Sequence, residues 1–185
     1  AERIGRIARE RPDLIVITDD VYAPFVDGFR SLAAVAPRST IVIYSFSKFW
    51  GATGLRLGVV GLHRSNALDE RIATASGDAL AGACARYGGL CTAPEAMKLV
   101  DRMVADSRAI GLNHTAGLSS PQQVQMTLFA LDALLDQGGD RKRAARAIVR
   151  ARFESLYRGI GLAPPAGPLL TSYYATIDVP ALARD

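Results

Sequence analysis

Short apolar runs, each followed at once by polar residues, organise the first third of this chain of 185 residues. The first run covers residues 14–17 and leads into Asp19 and Tyr22, and the second covers residues 41–44 and leads into a serine-rich stretch that ends at Lys48. Runs of this length between polar segments are typical of buried parallel strands. Because ligands bind at the carboxyl ends of such strands, we expect these polar groups to meet at one sheet edge.

Lys48 is the residue in this pattern with the strongest chemical signal. The chain has 22 basic residues, of which only Lys48, Lys98 and Lys142 are lysines. Lys48 alone lies between apolar runs, a setting that a solvated lysine rarely has. An amine in such surroundings is suited to act as a nucleophile and to form a Schiff base with an aldehyde.

The groups around Lys48 are those that pyridoxal 5'-phosphate (PLP) requires. The cofactor needs an acid for its pyridine nitrogen, a phenol for its ring oxygen, a lysine for its aldehyde, and hydroxyls with an arginine for its phosphate. Asp20 competes with Asp19 for the first role, although the step of three residues to Tyr22 favours Asp19. The glycines at positions 51, 54 and 58 could by themselves belong to a nucleotide-binding turn, but that reading would not explain the acid, the phenol and the lysine together.

The order and spacing of these motifs resemble the fold-type I PLP enzymes of the aspartate aminotransferase superfamily. The resemblance rests on Asp19-x-x-Tyr22, Ser45-x-Ser47-Lys48 and Gly51-x-x-Gly54-x-Arg56-x-Gly58. Residues 113–126 are most similar to the aspartate 4-decarboxylases within it. The resemblance implies that Lys48 is the catalytic lysine and holds the cofactor. It also implies five further cofactor contacts: Asp19 to the pyridine nitrogen, Tyr22 to the ring oxygen, and Ser45, Ser47 and Arg56 to the phosphate.

The same resemblance implies an α/β fold with three layers and a mostly parallel sheet. Residues 1–139 would be the C-terminal part of the PLP-binding large domain, and residues 140–185 a linking helix and the start of an α+β small domain. We expect residues 169–179 to be the first strand of that small domain. Both ends favour a piece of a longer protein, and we expect this piece alone to be inactive because the other cofactor and substrate contacts would lie outside it.

The middle of the chain is expected to be helical. Thr92 and Ser120 each precede a proline and an acid or amide, a pattern that predicts a helix start. The second of these helices carries an apolar stripe that we assign to the core. The stripe consists of Val124, Leu128, Leu131, Leu134 and Leu135. Before this helix, the histidine of the Asn113-His114-Thr115 stretch is more simply a structural loop residue than a site residue.

Composition narrows the function classes. Hydrophobic residues make up 49% and charged residues 22% of the chain, as in a globular domain, and neither a membrane span nor a secretory leader is visible. The net charge of +4 does not indicate nucleic-acid binding, because five arginines of residues 141–152 fall on one predicted helix with a solvated face. Cys84 and Cys91 are expected to be buried, and no metal site is predicted.

The function implied is PLP-dependent β-decarboxylation of L-aspartate to L-alanine and carbon dioxide, with aspartate aminotransferase activity beside it. Another PLP-dependent aminotransferase and a non-enzymatic regulatory domain of the same fold are the alternatives. The resemblance further implies a cytoplasmic homo-oligomer with its active site at the subunit interface.

Overall fold

The computed structural model describes residues 1–109 and 118–182 of the chain. The described residues combine helices with a small three-stranded sheet, which confirms the α/β class. No helix in the described ranges is long and apolar enough to cross a bilayer. The elements are α1 (Glu2–Glu10), β1 (Val16–Asp19), β2 (Thr40–Ser45), β3 (Gly58–Leu62), α2 (Ala67–Ala73), α3 (Gly77–Tyr87), α4 (Leu99–Ala109), α5 (Ser120–Leu135), α6 (Asp140–Gly159) and α7 (Val179–Leu182).

The described sheet has three strands in the order β1-β2-β3. The two predicted strands pair in parallel, with Asp19 opposite Ile43, and β3 pairs with β2 in the antiparallel direction. The described strands thus form a small mixed sheet, and the expectation of a mostly parallel sheet stays a prediction. The connection from β2 to β3 holds only a turn and a short 3-10 helix, and a parallel return would require a longer crossover.

The two faces of the sheet differ in what covers them. The front face carries the side chains that alternate with those of the opposite side along each strand, namely Ile17, Asp19, Ile41, Ile43, Ser45, Val60 and Leu62. Of its five large apolar members, Ile17, Ile43 and Val60 are 63%, 40% and 44% exposed, and the other two are half-buried. Most of the apolar side chains of the front face are therefore exposed in the described part of the chain.

The back face is defined by Asp20, Val42 and Tyr44, and helices pack against it. Pro24, Val26 and two residues of α6 form a cavity with these three residues. At the carboxyl end of β2, Phe46 forms a core cluster with Ala52 and Leu57, and Phe129 of α5 stacks on Phe46 with ring centroids 5.6 Å apart. The back face therefore carries the hydrophobic core next to the Lys48 turn.

Arg146 fixes α6 to the loop after β1. Its guanidinium donates to the carbonyl oxygens of Pro24 (2.7 Å) and Val26 (3.1 Å) and pairs with Asp27. The side chain is only 23% exposed. The predicted solvated arginine face is thus wrong at Arg146, which is a structural anchor.

The apolar stripe of α5 is exposed, which corrects its assignment to the core. The helix start lies one residue before the predicted one, since Ser119 rather than Ser120 is the N-cap and Gln122 is its reciprocal partner in a capping box. Its buried side is a different one, since Met126 and Phe129 contact the core cluster. The helix is apolar on two sides, so periodicity could not tell which side packs on the sheet. The exposed members are Val124, Leu128, Leu131, Leu134 and Leu135, at 49% to 73% exposure.

Two further expectations in the helical middle are wrong. Only a 3-10 turn follows Thr92, and α4 starts at Leu99, whose N–H donates to Asp69 Oδ1 at 2.8 Å. The proline-led turn stops because Met97 is extended. Cys84 is exposed, because Ala83 and Tyr87 form the buried side of α3, and Cys91, after this helix, is half-buried.

The expected small-domain strand does not form either, since residues 169–179, all within the described part of the chain, are not in a strand. The described residues between α6 and α7 form turns and irregular backbone, and no neighbouring strand pairs with them in the described ranges. This segment is held by side chains instead: Tyr157 of α6 donates to the carbonyl oxygen of Thr176 at 3.1 Å. The stretch with Asn113, His114 and Thr115 lies outside the described residues.

Candidate active site at the carboxyl edge of the sheet

The two neighbouring carboxylates at the end of β1 lie in different environments. Asp20 is 7% exposed, and its Oδ1 accepts from Thr18 Oγ1 at 2.8 Å. Asp19 is exposed on the front face, and its Oδ1 accepts from the N–H of Val21 at 3.0 Å. The Asp20 carboxylate thus serves the fold, while the Asp19 carboxylate is open to a ligand.

Ser45 and Ser47 form a hydroxyl pair at the end of β2. Their Oγ atoms lie 3.0 Å apart, and Ser45 Oγ also accepts from the N–H of Ser47 at 3.2 Å. Thr53 Oγ1 donates to the carbonyl oxygen of Ser47 at 3.0 Å. These bonds fold the chain around Lys48 into a tight turn whose shape is set by the serines themselves.

Arg56 closes this turn on its far side. Its backbone is left-handed, with φ of 53°, a conformation unusual for a residue with a side chain. Nη1 donates to the carbonyl oxygen of Thr53 at 3.2 Å, and the side chain is exposed. The next residue, Leu57, accepts from Ser45 Oγ at 3.4 Å through its carbonyl oxygen. The backbone that carries Arg56 is therefore tied to the serine pair, and its guanidinium has donors to spare, which are groups suited to a phosphate.

Lys48 and Tyr22 lie at the same edge, and each of them contacts the ring of Tyr173. The Lys48 Nζ lies 5.8 Å from the centre of the Tyr173 ring, within the range of a cation–π contact. The Tyr173 and Tyr22 rings lie 5.2 Å apart. The lysine is half-buried, so its amine is partly shielded from water and still accessible.

The phenol of Tyr22 is held in its protonated form. Burial raises its pKa, and the hydrogen bond to Tyr174 and the nearby charge of Asp19 raise it further. A negative charge on the phenol would be repelled by that carboxylate. At neutral pH Tyr22 is therefore a hydrogen-bond donor adjacent to Asp19.

Sequence reasoning missed the two tyrosines at positions 173 and 174. Tyr173 packs on Tyr22, Phe25 and Lys48, and the Tyr174 hydroxyl shares a hydrogen bond with the Tyr22 hydroxyl. In sequence, these two tyrosines lie about 150 residues after Tyr22. The available signal was an adjacent pair among only six tyrosines, following a stretch rich in proline.

All six residues predicted to contact a cofactor thus lie at the carboxyl edge of the sheet or in the turn beside it. Asp19 and Tyr22 form one end of the group, Lys48 connects to them through Tyr173, and the serines with Arg56 form the other end. The arrangement can hold an anion at one end, a protonated ring nitrogen at the other, and an amine between them. A cavity of about 560 Å³ between α1 and α2 contains none of these residues.

Comparison with known proteins gives the family. Residues 1–160 match the family model of aminotransferase class I and II. The chain belongs to this aminotransferase family. It is also 47% identical, over 173 residues and 94% of its length, to a protein of Pseudomonas sp. named "Bifunctional aspartate aminotransferase and L-aspartate beta-decarboxylase".

The chain spans about a third of the length of that curated relative, since the aligned segment covers 33% of it. Enzymes of the class I and II aminotransferase family use PLP. The donor set fits this group: an open carboxylate, a protonated phenol, an accessible amine, two hydroxyls and a guanidinium with unused donors. These are the kinds of group that bind each polar part of the cofactor.

Proposed function

We propose that the enzyme containing this region decarboxylates L-aspartate at its β-carboxylate, giving L-alanine and carbon dioxide, and that it also acts as an aspartate aminotransferase. The observation that carries the proposal is the grouping of Asp19, Tyr22 and Lys48 with a phosphate-suited turn at one sheet edge. The name of the Pseudomonas relative, which shares 47% of the aligned residues, supports the choice of substrate.

The cofactor contacts follow from the chemistry of each group. Arg56 would bind the phosphate of PLP with its planar donor fork, and Ser45 and Ser47 would donate hydroxyl hydrogen bonds to it. The Asp19 carboxylate would hold a proton on the pyridine nitrogen. Tyr22 would donate to the ring oxygen, which its raised pKa allows at neutral pH.

When bound, PLP supplies an aldehyde that captures the substrate amine and a ring that stabilises carbanions. Lys48 would hold the cofactor through its Nζ, and the same amine, once free, would remove the proton from the substrate Cα. The Tyr173 ring, 5.8 Å from Nζ, would keep this amine at the edge. Asp19 would keep the pyridine nitrogen protonated, which makes proton removal from the substrate easier.

The same residues serve decarboxylation and amino transfer, so the two activities differ in the fate of the substrate side chain. Supplying the purified full-length protein with PLP and L-aspartate, and identifying the products, separates the possibilities. Alanine and carbon dioxide formed without an added keto acid support the proposal. Oxaloacetate as the product, formed only when a keto acid is added, would mean that the enzyme is an aminotransferase and not a decarboxylase. If aspartate is not turned over at all, the proposal is overturned.

We extend the proposal to the fold-type I architecture, in which residues 1–139 belong to the large domain and α6 leads from residue 140 into a small domain. The homo-oligomer with a shared active site and the cytoplasmic location are part of the same proposal. They stay predictions from the sequence.

A further inference from the structure

The hydroxyls of Tyr22 and Tyr174 share a hydrogen bond that joins the sheet edge to the segment after α6. The two rings meet edge to face, with centroids 5.2 Å apart at an interplanar angle of 69°. Tyr174 is 59% exposed, so it contributes little to the core. We infer that Tyr174 is a positioning residue for the proposed reaction, whose hydroxyl holds the Tyr22 hydroxyl in place for the ring oxygen of PLP. The inference rests on the proposed function.

The proton count of the pair assigns a direction to the hydrogen bond. A phenol has one proton to donate and two lone pairs to accept with. If Tyr22 donates to the ring oxygen of the cofactor, its proton is used, and the bond between the two tyrosines requires Tyr174 as the donor. Tyr174 then satisfies one lone pair of Tyr22 and orients its proton toward the cofactor.

The surroundings of Tyr22 favour this assignment. Asp19, Tyr173 and Tyr174 face its hydroxyl, and Lys48 is placed one ring away, over Tyr173. The Asp19 carboxylate disfavours loss of the Tyr22 proton, so Tyr22 keeps the proton that it would donate.

The segment that carries Tyr174 has anchors of its own. Tyr173 packs on Phe25 with ring centroids 5.1 Å apart, and Tyr157 donates to the carbonyl oxygen of Thr176. Replacement of Tyr174 by phenylalanine therefore removes one hydroxyl while the ring and the segment stay in place. Tyr157→Phe is the matched control, because it removes one hydroxyl that holds the same segment without touching Tyr22.

The first test measures PLP affinity of the full-length apoenzyme by equilibrium titration. Loss of one hydrogen bond predicts roughly threefold to tenfold weaker binding in Tyr174→Phe. In a Tyr22→Phe background the Tyr174→Phe change should have no further effect, since its partner is gone. Tyr157→Phe should bind PLP as the parent does. An equal loss in Tyr157→Phe, or a full Tyr174 effect in the Tyr22→Phe background, would overturn the inference in favour of a structural role.

The second test needs no cofactor. Alkaline titration of the apoenzyme by ultraviolet absorbance should show late-ionising tyrosines, because the pKa values of Tyr22 and Tyr44 are both raised. The Tyr22 component is identified as the one that disappears in Tyr22→Phe and stays in Tyr44→Phe. In Tyr174→Phe its pKa should move down toward the ordinary value, because one contribution to its elevation is lost. An unchanged titration in Tyr174→Phe would overturn the inferred role of Tyr174 and leave the proposed function standing. A parent protein that binds no PLP would instead overturn the proposed function, so the two failures are distinguishable.

Discussion

An acid and an arginine lie on each side of the sheet, but on one side their hydrogen-bonding groups are used within the protein and on the other side they are open. On the back face the Asp20 carboxylate is buried and bonded to Thr18, and Arg146 donates to two carbonyl oxygens and pairs with Asp27. On the front face and its carboxyl edge, Asp19 is exposed and Arg56 has donors to spare. Groups whose bonds are used internally stabilise the fold, whereas groups with open bonding capacity can bind a ligand.

This contrast gives matched pairs of substitutions, in which one member should change function and the other should change stability or nothing. Each acid and each arginine on the front or edge has a chemical equivalent on the back. The pairs therefore test the assignment of roles independently of residue type.

The largest effect is expected at Lys48. Lys48→Ala should lower aspartate turnover of the full-length enzyme by roughly a thousandfold or more, because in the proposed reaction one amine would both hold the cofactor and move the Cα proton. Lys98→Ala, at an exposed position at the start of α4, is the control and should keep normal turnover. Steady-state rates for both variants measure this, and comparable losses in the two would remove the special role of Lys48.

The two neighbouring acids provide the next comparison. Asp19→Asn should lower turnover by roughly a hundredfold, since a neutral side chain cannot hold the ring proton. PLP binding should fall much less, because the phosphate contacts remain. Asp20→Asn keeps an acceptor for Thr18 Oγ1 and should turn over like the parent. The reverse result would exchange the roles of the two acids.

The arginine pair separates cofactor affinity from stability. Arg56→Lys replaces a planar fork by a point charge, so we expect roughly tenfold to a hundredfold weaker PLP binding by titration. Arg146→Lys should leave that affinity close to normal but lower the free energy of unfolding by about 1–3 kcal/mol, since donors to Pro24 and Val26 are lost. Unchanged affinity in Arg56→Lys would place Arg56 away from the phosphate.

The smallest effect is a pH dependence from the back face. Burial raises the pKa of the Tyr44 phenol above its ordinary value of 10.0. Above pH 10 the unfolded chain loses this proton while the folded chain keeps it, so the free energy of unfolding should fall as pH rises. Urea unfolding between pH 9 and 11 should show a flatter fall in Tyr44→Phe. A slope equal to that of the parent would mean that the phenol is not buried in solution.

The grouping of the candidate site residues was more predictable from sequence than the packing around them. Ser45, Ser47, Lys48 and Arg56 lie within twelve residues, and their bonds are local, so a short motif specifies the turn. Asp19 reaches them through strand pairing, which the apolar runs indicated. Short-range order of this kind is readable from spacing alone.

The parts that failed depend on distant partners. The stripe on α5 has the right period for a core helix, but Met126 and Phe129 on another side take the contact with Phe46. Residues 169–179 have no strand beside them in the described ranges, so their apolar content does not make a strand. Tyr173 and Tyr174 reach Tyr22 across about 150 residues, a contact that no local pattern encodes.

The central claim is that the carboxyl edge of this sheet holds PLP on Lys48. Borohydride reduction of the full-length holoenzyme, followed by proteolysis and mass mapping, tests it directly because reduction fixes the cofactor on the lysine that carries it. The account predicts the added mass on the peptide with Lys48 and its absence in Lys48→Ala. Label on Lys98 or Lys142, or on no lysine of this chain, would contradict it.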